Sequence, residues 1–103
     1  MPKPRPQTPR KIFTTALADW QRAWTTHARH DRRAATAGFV TATGRAHLAA
    51  MSAISTRITA IESQIAQTPA RNRAELQIKI ILLSLDGQIR PEFQSAVFED
   101  AMR

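Results

Sequence analysis

The chain has 103 residues, no cysteine and a net charge of +7. That length suits one small domain with a poor surface-to-volume ratio, so self-association into a homo-oligomer is expected. The lack of cysteine excludes disulfide frameworks, thiolate zinc sites and cysteine nucleophiles. The longest apolar run, Ile80-Ile81-Leu82-Leu83, falls far short of the roughly 20 residues needed to span a bilayer, so no integral membrane segment is expected.

The opening stretch Met1-Pro2-Lys3-Pro4-Arg5-Pro6 is basic, but no signal-type apolar segment follows it. Its prolines are unsuited to an amphipathic transit leader, and the expected location is cytoplasmic. Residues 1–8 are expected to form a disordered basic tail, and residues 9–103 a single helical domain. Helix formers dominate, glycine occurs three times and tyrosine is absent. The expected fold is all-α: a three- to four-helix bundle with a long helical hairpin.

Charge is unevenly placed. Residues 1–33 carry Lys3, Arg5, Arg10, Lys11, Arg22, Arg29, Arg32 and Arg33 against Asp19 and Asp31, a net +6. The rest of the chain contributes only +1. The asymmetry suits a polyanionic partner, and it also reads as a solvated tail that aids solubility.

Thr8-Pro9 has the form of a helix start, with Thr8 as N-cap and Pro9 in the first turn. The first helix is expected from Pro9 to the low thirties. At 100° per residue, Phe13, Leu17, Trp20, Trp24 and His27 fall between about 160° and 240°, while Lys11, Arg22, Arg29 and Arg33 fall between about 0° and 40°. These four cations make a line about 33 Å long opposite an apolar, aromatic stripe. Asp31 interrupts that stripe. Residues 34–44, with Gly38 and Gly44, read as a weakened or broken segment, although two glycines cost a continuous helix only about 1 kcal/mol each.

The second helix is expected from Thr43 to Ala66. Leu48, Met51, Ile54, Ile58, Ile61 and Ile65 form a narrow seam of coiled-coil type, serving either an oligomer or an intramolecular hairpin. A third helix is expected from Pro69, after Thr68, to about Asp86, with Gly87 at its C-terminus. Its apolar residues, Ile78 to Leu85, cover most of its circumference and require it to be surrounded. The β-branched run Ile78–Ile81 also suits a short strand, but no partner strand is visible. The second and third helices are expected to pair through Thr68-Pro69, with the first packed on them through Phe13, Leu17, Trp20 and Trp24. A last helix, from Pro91 to about Met102, offers Phe93, Val97 and Phe98 to the core and Glu92, Glu99 and Asp100 to solvent.

No catalytic constellation is visible: there is no Walker loop, no Gly-x-Ser-x-Gly and no His-Glu-x-x-His. The three glycines are isolated, so no phosphate-cradling loop and no cofactor are expected. His27, His30 and Asp31 have helical spacing for a metal. They lack a second ligand cluster, His47 lies in a different segment, and no metal is expected.

The stretch Ile61-Glu62-Ser63-Gln64-Ile65-Ala66-Gln67-Thr68-Pro69-Ala70, followed by Leu76 and Lys79, resembles a segment of small uncharacterised helical proteins of alphaproteobacteria. Trp20-Gln21-Arg22-Ala23 and Phe98-Glu99-Asp100 fit the same layout. Such proteins are often encoded near prophage-like or other mobile elements, and the resemblance implies an all-helical fold but no activity.

The expected function is that of a nucleic-acid-associated, oligomeric accessory protein of a phage-like or mobile element, similar in physical logic to small packaging subunits. Lys3, Arg5, Arg10, Lys11, Arg22, Arg29 and Arg33 would contact the phosphate backbone without reading bases. A protein-interaction, scaffold or regulatory module using the seam is one alternative. A peripheral binder of anionic membranes is the other.

Overall fold

A computed structural model describes residues 8–102. The fold is all-α, with helices α1 (Lys11–Ala37), α2 (Ala42–Gln67), α3 (Arg73–Leu83) and α4 (Gln94–Ala101). A two-residue strand pair, β1 (Ser84–Leu85) and β2 (Gln88–Ile89), and a 3-10 turn (Pro91–Phe93) join α3 to α4. The described residues divide into two compact units, one of residues 18–61 and one of residues 8–17 with 62–102.

The unit of residues 18–61 is an antiparallel hairpin of α1 and α2, so the long hairpin lies here and not across Thr68-Pro69. Its turn is set by three residues. Gly38 adopts φ +91, which L side chains rarely tolerate, and its N–H bonds the Ala34 carbonyl at 2.9 Å to end α1. Thr41 caps α2, its Oγ1 accepting from Gly44 N–H at 2.9 Å. A Cβ on Gly44 would lie 1.9 Å from the Gly38 carbonyl oxygen, so the backbone itself fills that space. The break is thus confined to Gly38–Thr41, narrower than the 34–44 expected, and α1 runs on to Ala37.

Small residues line the packed face of this hairpin. Ala23, Ala34 and Gly44 are buried, together with Ile58. Of the expected stripe, Phe13 is buried, Leu17, Trp20 and His27 are half-buried and Trp24 is 45% exposed, so the stripe is only partly packed. The buried face is rotated toward the alanines, where short side chains let helices approach closely. Asp31 is then exposed, which removes its conflict with the core.

The second unit is organised around buried charge. Its apolar core comprises Phe13, Ile65, Ile78, Leu82, Leu83 and Val97. Beside it, Glu75 is 0% exposed and accepts four hydrogen bonds: from Arg10 Nε at 2.8 Å and Nη2 at 2.8 Å, from Arg10 N–H at 2.7 Å, and from Arg71 N–H at 2.9 Å. Arg10 Nη2 also donates to the Pro69 carbonyl at 2.8 Å. Lys79, 1% exposed, donates to Asp100 at 2.6 Å and to the Thr68 carbonyl at 3.0 Å, while Asp100 also accepts from Ala70 N–H at 2.9 Å. The loop 68–72 is therefore satisfied through its backbone by two ion pairs. A buried ion pair needs such additional bonds to offset its desolvation.

Several boundaries differ from expectation for these reasons. The backbone N–H of Arg10 goes to Glu75, and the Arg10 carbonyl starts the first turn, so α1 begins at Lys11 and Thr8-Pro9 lies outside it. Thr8 accepts from the Asn72 side chain at 3.0 Å through its carbonyl; residues 1–7, with Lys3 and Arg5, lie outside the described residues. Thr68-Pro69 closes α2, and Asn72 caps α3 by accepting from Glu75 N–H at 2.8 Å. Helix α3 stops at Leu83 because Asp86 (φ 52) and Gly87 (φ 80) make a two-residue hairpin turn. Residues Ile78–Ile81 are helical, and Ile81 is half exposed rather than surrounded. Proline at 91 starts a 3-10 turn, not the α-helix itself, and Phe98 faces solvent while Asp100 is buried.

Alanine normally improves a helical glycine site by about 1 kcal/mol. Gly44→Ala should do the reverse, lowering urea-unfolding stability by roughly the 1–3 kcal/mol of an overpacked site or more, against about 1 kcal/mol for Thr41→Ala. The hydrogen-bonded Arg10 guanidinium, with two backbone N–H groups, holds the Glu75 carboxyl at about 2, below its ordinary 4.5. Its stabilising contribution is therefore complete above about pH 4.5 and is lost as pH falls toward 2. Acid titration followed by circular dichroism should show that loss in the parent chain, whereas Glu75→Gln should be weaker at neutral pH and lack this part of the acid dependence.

Candidate anion-binding site

Near the turn of the hairpin, Arg29, Arg32, Arg33 and Thr36 repeat at i, i+3, i+4 and i+7, which places them on one face of α1. The return of the chain through Gly38–Thr41 brings Thr43 and His47, one helical turn apart on α2, beside them. Together with Ala37, these residues line an open concavity of about 580 Å³. No carboxylate lines it. Among the described residues, none of the three arginines makes an ion pair within the chain. Like charges at this spacing cost a helix a few tenths of a kcal/mol per pair, an opposition that a bound anion relieves. Thr43 stands in the first turn of α2, where the helix dipole is positive.

The other sequence candidates divide between the two units. Arg22 is paired with Asp19, which Arg57 also approaches at 3.8 Å; Arg22, Arg57, Ala23, Thr26 and Ile54 line a separate concavity with that acid. Arg10 is held by Glu75, which raises its pKa through their hydrogen bond, so this residue is structural and not a free phosphate contact. Lys11 is exposed. Of the isoleucine seam, Ile58 and Ile65 are buried, Met51, Ile54 and Ile61 are half-buried, and Leu48 is exposed. The seam is thus partly used in packing this chain, and a charge placed at Ile58 or Ile65 would disturb the core itself.

Arg32 and His47 are site residues that the sequence reading does not include. Arg32 falls outside the arc of four cations, although its i+3 relation to Arg29 is readable. His47 requires the turn. That turn also sets His30 Nδ1 at 2.8 Å from His47 Nδ1, with ring centroids 5.1 Å apart. His27 instead packs edge-on against Trp24 at 5.4 Å. The described residues hold no group of three or more His, Cys, Asp or Glu able to bind a metal. None of their helices is long and apolar enough to cross a membrane.

Comparison with known proteins adds no relative: no protein family, curated protein or solved structure matches the chain.

Proposed function

We propose that this protein binds the phosphate backbone of nucleic acid without reading its sequence. The observation that carries the reading is the concavity with three exposed arginines and no lining carboxylate. Guanidinium groups are suited to phosphate oxygens because their planar N–H forks match them bidentately. Backbone contacts of this kind position a protein on a duplex and carry no base information. Lys3 and Arg5 add cations within the same basic third of the sequence. The basic first third of the sequence together with the isoleucine seam of α2 extends the reading to an oligomeric accessory protein of a phage-like or mobile element.

A second reading is favoured by one feature of the turn. Phe39 is half exposed and Val40 is 86% exposed between the caps of α1 and α2. Apolar residues beside cations also suit the surface of an anionic membrane.

Filter binding separates the two. Mixed-sequence duplexes should bind equally well at low salt, and log affinity should fall linearly with log salt. Replacing Arg29, Arg32 and Arg33 with alanine should weaken binding to every duplex alike. The same replacement should reduce the slope by up to about 0.9 for each phosphate that is no longer neutralised. Undetectable binding at low salt overturns the nucleic-acid reading. Flotation with anionic vesicles that is abolished by Phe39→Ser with Val40→Ser favours the membrane instead.

A further inference from the structure

We propose that the concavity takes up a proton together with its phosphodiester ligand, through the His30–His47 pair. The inference rests on the nucleic-acid reading above and adds a coupling that the arginines alone do not supply.

The hydrogen bond between the rings limits their protonation. At 2.8 Å, one Nδ1 donates and the other accepts. The pair is therefore compatible with two neutral rings or with one proton added. A second added proton removes the acceptor and sets two cations in contact, so the rings must part. Both rings are half-buried, and they come from opposite helices of the hairpin.

The surroundings decide when protonation is favourable. On α1, Arg29 and Arg33 flank His30 in sequence, and Arg32 shares the concavity with His47. The acid nearest in sequence, Asp31, is exposed and lies about 100° around the helix from His30. His27, also on α1, is packed on Trp24. On α2, Arg45 lies two residues before His47 and is exposed. The charge lining the concavity is thus cationic. A phosphodiester reverses that field. His47, already part of the lining, then becomes a charged donor toward the anion. Binding favours protonation and protonation favours binding, to the same extent.

Histidine titrates between about pH 5 and 8, a range in which backbone phosphodiesters keep their charge. Affinity for a mixed-sequence duplex at fixed salt is therefore expected to rise roughly five- to tenfold between about pH 7.5 and pH 5.5. Calorimetry in buffers of different ionisation enthalpy should report uptake of up to about one proton per protein near pH 6. His30→Asn and His47→Asn should each flatten the pH profile; His30→Asn, outside the lining, should retain arginine-driven binding near pH 7.5, whereas His47→Asn, which removes a lining residue, should also weaken it. His27→Asn should leave the profile unchanged and serves as the control, with circular dichroism confirming that each variant is helical. Should asparagine disturb the hairpin, His30→Gln and His47→Gln repeat the test. Binding that is independent of pH, or pH dependence that survives in both the His30 and the His47 variants, overturns this inference and leaves the nucleic-acid reading intact. Absence of binding at every pH overturns both.

Discussion

The close approach of Gly44 to the Gly38 carbonyl is the constraint on which the hairpin and its site depend. No side chain fits between them, since even a Cβ would lie 1.9 Å from that oxygen. Gly38 supplies the positive φ that ends α1, and Thr41 supplies the cap that starts α2. This tight reversal places Thr43 and His47 beside Arg29, Arg32 and Arg33, and it sets His30 against His47. A longer or looser connection would leave the same residues on two unrelated helix faces. The site is therefore a product of turn geometry, although its chemistry is carried by helical side chains.

The other unit solves a different problem. Loop 68–72 carries backbone groups that no regular element satisfies, and the unit answers with charged side chains. Glu75 and Asp100 accept from its N–H groups, while Arg10 and Lys79 donate to its carbonyls. Each carboxylate is in turn neutralised by the cation that bonds the same loop. Removing either Lys79 or Asp100 strands a buried charge and a backbone group, and breaking such a buried pair typically costs about 3–5 kcal/mol. Arg10 shows how this alters a functional reading: by sequence it belongs to the basic third, but by geometry it belongs to the fold.

Helix content and the last helical segment are legible in the sequence because composition and apolar period act locally. The packed face of α1 is not. Large apolar residues draw the stripe toward Trp20 and Trp24, whereas the hairpin buries Ala23 and Ala34, whose value lies in their small size. The end of α3 is written in Asp86-Gly87, a two-residue turn signal, but a glycine after a helix reads equally well as its terminus. Glu99-Asp100 looks like a solvated pair because nothing in its neighbourhood reveals Lys79, 21 residues earlier. For the site, the i, i+3, i+4 spacing of the arginines is readable, while the meeting of His30 with His47, 17 residues apart, depends on locating the turn.

On the proposed reading, the arginine face of the hairpin, rather than basicity in general, is the seat of anion binding. Side-chain NMR during titration with a short mixed-sequence duplex at low salt tests this most directly. The largest shifts are expected on the guanidinium groups of Arg29, Arg32 and Arg33 and on the His47 ring, with Arg10 and Arg22 little affected. Shifts that are absent, or that are confined to residues 68–102, would contradict it.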